Sequence, residues 1–221
     1  MRPSRSAELA DAIVELITDQ DLAPGAPLPT EARLTAELQT SRGPLREAIK
    51  ALQAQGIVEV RHGYGTFVAP ASAEALLPWL TFRARSTDTL ADLLDLREVL
   101  EAGLTRRLAS SGVATVTVDA LRACVATMAA GAHDSADADC RFHEILCEAA
   151  GNNLAKDLIG VFWRAYATAE PSIGVRSEDA SALAERHERI VDAVLTGDSD
   201  AVEEAVRRHF DEVRDRLGRR A

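Results

Sequence analysis

The sequence predicts a mainly α-helical protein with two parts: a small N-terminal domain with one β-hairpin, and a longer, all-α antiparallel helical bundle. Two short helical patterns and a pair of β patterns around glycines lie within the first 70 residues. From residue 76 onward, apolar residues recur at helical spacing and the breaks are short. The 221 residues therefore suit two domains. We expect residues 1–70 to form the first domain, 71–86 a linker with the first bundle helix, and 87–221 the bundle.

The N-terminal domain is predicted to begin with a helix over Ser6–Gln20, in which Leu9 and Ile13 recur on one face. A connector rich in proline and alanine follows. The stretch Pro29–Gly56 then predicts two short helices joined by a tight turn. Their candidate N-caps are Thr30 and Ser41.

The second helix of this pair has two different faces. Its apolar stripe is Leu45, Ile49 and Leu52, and its cations are Arg42, Arg46 and Lys50, spaced at i, i+4 and i+8. Such a helix suits the DNA major groove, where arginine pairs with the O6 and N7 atoms of guanine. The alternative for any single helix is an ordinary solvated face, and the segment that follows favours DNA.

A β-hairpin is predicted directly after these helices. Ile57–Arg61 and Thr66–Val68 have strand patterns, and His62–Gly65 forms a tip with two glycines. Helix, turn, helix and a hairpin with a basic tip make a winged helix-turn-helix.

The N-terminal domain resembles the DNA-binding domain of the GntR family of bacterial transcription regulators. The matching motifs are Leu28–Glu31, Ser41–Ala48 and Gly63–Val68. The resemblance implies DNA contacts from the two helices and the wing, and the expected set is Arg33, Arg42, Arg46, Arg61, His62 and Gly63. One departure concerns the first contact, because Ala32 stands where the family has arginine. Arg33 comes one residue later, about 100° around the helix.

Charge and composition restrict the function classes. The formal net charge is -10, and residues 1–70 hold seven basic and nine acidic residues. Indiscriminate nucleic-acid binding is excluded, since it calls for a domain pI above about 9. We expect modest, steeply salt-dependent affinity for DNA. The N-terminal stretch turns amphipathic at once and lacks the apolar region of a signal peptide, so we expect none. No apolar run comes near the roughly 20 residues of a membrane span, and the three cysteines form no CxxC. We therefore expect a cytoplasmic protein that does not bind membranes.

The bundle is predicted to contain seven helices. They lie near 74–84, 87–110, 115–131, 134–150, 153–169, 177–196 and 198–217, and the breaks fall at Ser111-Gly112, Gly131-Ala132, Gly151-Asn152, Pro171–Gly174 and Thr196–Asp198.

Three histidines and one aspartate in the bundle make a candidate metal site. Asp139 and His143 are spaced i, i+4 and share a helical face, while His187 and His209 lie on two further helices. Three imidazoles and a carboxylate suit Zn²⁺ or a neighbouring transition metal. Each histidine alone is more often a core or surface residue than a ligand.

The bundle resembles the FCD effector domain of the FadR-type branch of the same family. The similar segments are Asp92–Glu101, Asp139–Asn152, His187–Ala193 and Asp198–His209. The resemblance implies a divalent metal held by Asp139, His143, His187 and His209, with Zn²⁺ favoured and Ni²⁺ or Mn²⁺ as alternatives.

The resemblance also implies a small carboxylate effector, contacted by Arg97 and Asn152. An intrahelical or surface pair with Glu101 is the alternative for Arg97, and a helix-end role is the alternative for Asn152.

The sequence thus predicts a transcription regulator, expected to be a repressor, that is not an enzyme. We expect a homodimer on a palindromic operator in double-stranded DNA. Two alternatives belong to another class: a metalloenzyme built on the aspartate and three histidines, and a nucleophilic Cys147 activated by His143.

Overall fold

The computed structural model describes residues 4–70, 72–131, 134–173 and 179–218. It divides into two compact units, Met1–Ala75 and Leu76–Ala221. About 75% of the chain is helical, with ten α-helices and one two-stranded antiparallel sheet in the described residues. The prediction of a mainly α protein with an N-terminal winged helix-turn-helix and an all-α bundle is confirmed.

The first unit contains three helices and the hairpin. Its elements are α1 (Arg5–Asp19), α2 (Glu31–Glu37), α3 (Arg42–Ala54), β1 (Val58–Arg61) and β2 (Gly65–Val68). Val58 pairs with Val68 and Arg61 with Gly65 across the hairpin. The apolar faces of all five elements meet in one core, which includes the fully buried Ile13, Leu34 and Leu45. The predicted elements all form, with ends that differ by a few residues at most.

The two predicted caps behave differently. The Thr30 side chain accepts a hydrogen bond from the backbone N–H of Arg33, 3.3 Å away, and caps α2. Ser41 occupies the N-cap position of α3, but its side chain makes no capping bond. The turn between α2 and α3 is closed by Gln39 at φ 47°, a left-handed conformation that an L-residue adopts at some cost in energy.

The second unit is the helical bundle. A 3₁₀ turn, Glu74–Leu76, precedes α4 (Leu77–Arg83), and the remaining helices are α5 (Thr87–Ser111), α6 (Thr115–Ala129), α7 (Ser135–Ala149), α8 (Asn153–Ile173), α9 (Ala180–Thr196) and α10 (Ser199–Gly218). Helix α5 packs against α10, α7 and α9, while α7 also packs against α6 and α8. None of the described helices is both long and apolar enough to cross a membrane.

One predicted boundary in the bundle is wrong. Helix α8 was expected to end near 169, with a break at Pro171–Gly174, but it continues to Ile173. A proline removes one N–H donor and crowds the carbonyl four residues before it, which weakens a helix at that point but does not fix the residue at which the helix ends. Gly174 lies outside the described residues, as do Ala71 of the linker, Ala132 of the second break and the first two residues of the predicted helix 177–196.

Leu45→Ala tests the core of the first unit. Leu45 is fully buried between α3 and its neighbours, so truncation should lower the free energy of unfolding of this unit by about 2–5 kcal/mol. Urea denaturation followed by circular dichroism measures the loss. The control Val60→Ala, at an exposed strand position, should stay within about 0.5 kcal/mol. Equal losses in both variants would contradict the assigned core.

Candidate metal centre and DNA-binding surface

Helix α3 separates its apolar and basic residues as predicted. Leu45, Ala48, Ile49 and Leu52 are buried, whereas Arg42, Arg46 and Lys50 are exposed. A row of solvated cations therefore runs along the outer face of the helix. This is the surface that a duplex can approach without disturbing the core.

Carboxylates lie beside several of these cations. Arg46 Nε is 3.1 Å from Glu31 Oε2, which links α3 to α2, and Lys50 Nζ is 2.9 Å from Glu47 Oε1. On α2, Arg33 Nε is 2.7 Å from Glu37 Oε1. Exposed pairs of this kind are worth about 0–1 kcal/mol, so a phosphate or base edge can displace the carboxylate.

The wing tip combines glycines with exposed polar and aromatic side chains. Arg61 lies over the ring of Phe67 at 4.4 Å and next to Glu59 at 3.2 Å. Gly63 has φ 80°, which favours glycine at this turn. Next to it, Tyr64 is 85% exposed. The sequence reasoning did not select Tyr64, although an aromatic residue between two glycines at a hairpin tip is a visible signal.

The structure brings all four predicted metal ligands together inside the bundle. His143 on α7, His187 on α9 and His209 on α10 are buried, and their ligand atoms lie within 4.8 Å of one another. Asp139, one turn before His143, is also buried. Its Oδ1 is 3.2 Å from His143 Nε2 and 3.1 Å from His187 Nε2.

The hydrogen bonds made by the Nδ1 atoms of His143 and His187 determine which ring nitrogen of each points into the site. His187 Nδ1 lies 2.7 Å from the Leu183 carbonyl oxygen and donates to it, and His143 Nδ1 faces the Glu101 carboxylate. Both rings therefore turn Nε2 inward, and these two Nε2 atoms are 3.3 Å apart. With the protons on Nδ1, two lone pairs and a carboxylate converge with no donor between them. A metal ion, or an additional proton on one of the rings, satisfies such a group.

The third histidine is consistent with a metal. His209 Nδ1 is buried and has no hydrogen-bond partner among the described residues. Burial lowers the pKa of His209, and the neighbouring His187 and His143 lower it further, to well below its usual range. A neutral imidazole is the form that binds a metal.

The pKa of the aspartate shifts in the direction that metal binding requires. Burial raises the pKa of Asp139, but the neighbouring His187 and His143 outweigh it and hold the pKa well below its usual range. Burial likewise opposes a charge on His143, yet Glu101 and Asp139 raise its pKa. A proton on His143 is thus what the site takes in place of a metal. The donor set of three imidazoles and one carboxylate fits Zn²⁺ and its neighbours.

Glu101 is the residue that sequence reasoning did not assign to the site. Its side chain is 2% exposed, and Oε1 accepts a hydrogen bond from Arg97 Nε at 2.9 Å. Burial raises the pKa of Glu101, but His143 and Arg97 outweigh this effect and lower it. The intrahelical alternative for Arg97 is therefore observed, although the pair is buried beside the histidines instead of lying on the surface.

Asn152 caps a helix, and Cys147 is a buried thiol. The Asn152 Oδ1 accepts a hydrogen bond from the Ala155 N–H at 3.0 Å and caps α8, so the helix-end alternative is observed. Burial raises the pKa of the Cys147 thiol to about 12, so it carries almost no thiolate at neutral pH. Because the ring nitrogens of His143 face Glu101, Asp139 and His187, neither is directed at this thiol as a base.

Two family models match the chain. "Bacterial regulatory proteins, gntR family" matches residues 5–68, and "FCD domain" matches residues 92–212.

Curated relatives and a solved structure resemble nearly the whole chain. The "Glc operon transcriptional activator" of Escherichia coli strain K12 is 28% identical over 95% of this chain and 87% of its own length. "HTH-type transcriptional regulator LutR" of Bacillus subtilis strain 168 is 28% identical over 91% of this chain and 96% of its own. The solved structure "Streptococcus agalactiae GntR" has a TM-score of 0.70 and 26% identity, covering 95% of this chain and 99% of that one.

His187→Ala tests the metal centre. Removing one of three imidazoles and its contact with Asp139 should abolish tight zinc binding, because no other buried His or Asp is placed to replace it among the described residues. Metal content after dialysis, measured by atomic emission, should fall from about one zinc per chain to near zero. His62→Ala on the wing is the control and should keep its zinc. Equal zinc in both variants would contradict the assigned ligands.

Proposed function

The chain belongs to the gntR family of bacterial regulatory proteins and carries an FCD domain, and we propose that it is a transcription regulator whose affinity for its operator is set by a small organic acid bound at a metal centre. The FadR-type branch of the family fits this combination. Family and relatives are regulators and not enzymes. Since the proposed target is bacterial DNA, we place the protein in the cytoplasm.

Helix α3 is the proposed reader of the operator. Arg42 and Arg46 extend from its exposed face, where a guanidinium can pair with guanine in the major groove. Arg33, Arg61, His62 and Gly63 are the remaining proposed contacts, to phosphates or the minor groove. The exposed ring of Tyr64 extends the proposed contact surface of the wing.

The observation that carries the effector half of the proposal is the inward convergence of two imidazole Nε2 atoms on the Asp139 carboxylate, with His209 beside them. These four residues would hold a divalent ion, for which Zn²⁺ is favoured and Ni²⁺ or Mn²⁺ are alternatives. When bound, such an ion supplies vacant coordination positions for the oxygens of an organic acid.

Helix α5 provides polar groups for the same ligand. Arg97, Glu101 and Thr105 follow one another at i, i+4 and i+8, so they share one face. Arg97 Nη2 and Thr105 Oγ1 are buried without a hydrogen-bond partner among the described residues. Unsatisfied buried donors are costly, and a carboxylate or hydroxyl of the effector would satisfy them. Asn152, the other proposed effector contact, already uses its oxygen as a cap.

The names of relatives point to the same ligand class. They include the "Galactonate operon transcriptional repressor" of Escherichia coli strain K12, 27% identical over 82% of this chain. Galactonate is a hydroxy acid with one carboxylate. By extension, we propose a small hydroxycarboxylate for this chain. Relatives are named as activators and as repressors, and we propose repression here, which the effector relieves.

A homodimer is proposed from an exposed apolar stripe. On α5, Leu96 is 46% and Val99 is 73% exposed, and their i, i+3 spacing places them on one face. A two-fold dimer buries such a stripe against its copy and presents two recognition helices to a palindrome.

Arg46→Ala tests the DNA surface. If Arg46 reads a base, its loss should weaken operator binding by about 1–3 kcal/mol and relax specificity at one position. Fluorescence anisotropy with the operator and single-base variants measures this effect. Arg106→Ala, which removes an exposed, ion-paired arginine of the bundle, is the control and should bind like wild type. An unchanged affinity for Arg46→Ala would contradict the assigned surface.

Effector titration tests the coupling. Hydroxycarboxylates added to the zinc-loaded protein should shift operator affinity by about 5–150-fold, the range of an ordinary coupling free energy of 1–3 kcal/mol. The same titration after chelation should show little shift. If no acid alters operator affinity with zinc present, the effector half of the proposal fails while DNA recognition stands.

A further inference from the structure

Resting on the proposed function, we infer that Glu101 is a positioning and specificity-determining residue: it holds His143 for the metal and, by neutralising Arg97, restricts the site to effectors with a single negative charge. The inference starts from the two oxygens of one buried carboxylate. Oε1 accepts from Arg97 Nε at 2.9 Å, and Oε2 faces His143 Nδ1. Glu101 therefore joins the proposed effector anchor to a proposed metal ligand.

The positioning part concerns the imidazole ring. A carboxylate at Nδ1 keeps a proton there, so in the neutral ring it is Nε2 that carries the lone pair, and Nε2 is directed at Asp139 and His187. A carboxylate behind a ligating histidine also raises the basicity of the ring and fixes its orientation. A glutamine has one oxygen and one NH2 group, so at this position a donor group would face either Arg97 Nε or His143 Nδ1, whereas the carboxylate accepts from both through different oxygens.

The specificity part concerns the buried charges around the site. Glu101 cancels Arg97, which is 4% exposed. Farther out, the 38% exposed Glu212 lies 3.5 Å from Arg186 and 3.2 Å from Arg189. Among the four candidate ligands and the Arg97–Glu101 pair beside them, Asp139 therefore carries the one uncompensated charge, so this inner group is one charge negative. A divalent ion turns this into one positive charge. One carboxylate then neutralises the site, whereas a second carboxylate leaves an uncompensated buried charge, which is strongly unfavourable.

Lactate and malate make a matched pair of probes, because malate is lactate with a second carboxylate on its methyl carbon. Zinc-loaded wild-type protein should bind lactate at least tenfold more tightly than malate. In Glu101→Gln, Arg97 is no longer neutralised, and the ratio of the two affinities should move at least tenfold toward malate. Zinc affinity, measured by chelator competition, should fall about 10–100-fold.

Two further variants separate this role from simple destabilisation. Glu98→Gln removes the same charge one helical turn earlier on α5, from a pair with Arg214 at 2.6 Å outside the site, and should change neither quantity more than twofold. Glu101→Asp keeps the charge on a shorter side chain, so it should keep the wild-type preference while binding zinc less tightly. A general loss of stability weakens both acids together and leaves their ratio unchanged.

The outcomes are distinct. Wild-type zinc affinity and lactate preference in a folded Glu101→Gln would overturn the inference. If that variant does not fold, a wild-type preference for malate, or a Glu101→Asp variant with unaltered zinc affinity, would overturn it instead. Wild-type protein that binds neither zinc nor either acid would overturn the proposed effector site, and this inference with it, before any variant is compared.

Discussion

The central constraint on the bundle is a buried group in which the Nε2 atoms of His143 and His187 and the carboxylate of Asp139 face one another. Two imidazole Nε2 atoms lie 3.3 Å apart and the same carboxylate oxygen is 3.1–3.2 Å from each, and all three residues are buried. Such an arrangement is repulsive unless positive charge stands between the atoms. Since His187 and His143 both have acceptors for their Nδ1 protons, the fold itself directs the lone pairs inward. The bundle thus stabilises a site for a cation at the expense of its own apolar packing.

The surrounding packing shows how the helices keep these rings in place. Phe142 and Phe210, next in sequence to His143 and His209, are fully buried. The Phe142 ring meets His187 edge-on at 4.8 Å between centroids, and Phe210 meets His209 at 5.0 Å. An imidazole that is packed against an aromatic edge and hydrogen-bonded at its outer nitrogen has little freedom to turn. Preorganisation of this kind lets a site select by geometry and charge.

Periodicity and resemblance predicted most of the fold and selected the four candidate ligands that the structure brings together, because their signals are local or follow family motifs. The i, i+4 spacing of Asp139 and His143 specifies a shared face, and the apolar stripe of α3 specifies its inner side. Glu101 could not be assigned in this way. An arginine and a glutamate at i, i+4 are an ordinary exposed pair on helices, and nothing in the spacing says that this pair is buried. The prediction of where α8 ends was wrong for a related reason, since a proline marks the end of a helix only to within a turn.

The acidic composition of the protein affects how the proposed DNA-binding surface would discriminate between sequences. A protein of net charge -10 repels a duplex at long range, so the proposed contacts on α3 and the wing would have to supply the attraction. Glu31 and Glu47 pair with Arg46 and Lys50 in the absence of DNA. To contact DNA, Arg46 and Lys50 would have to leave these carboxylates. On a non-cognate sequence they would gain little beyond attraction to phosphates, whereas a correctly placed guanine would give Arg46 two directed hydrogen bonds. The nearby carboxylates therefore lower non-specific affinity more than specific affinity, and what a regulator requires is the ratio between the two.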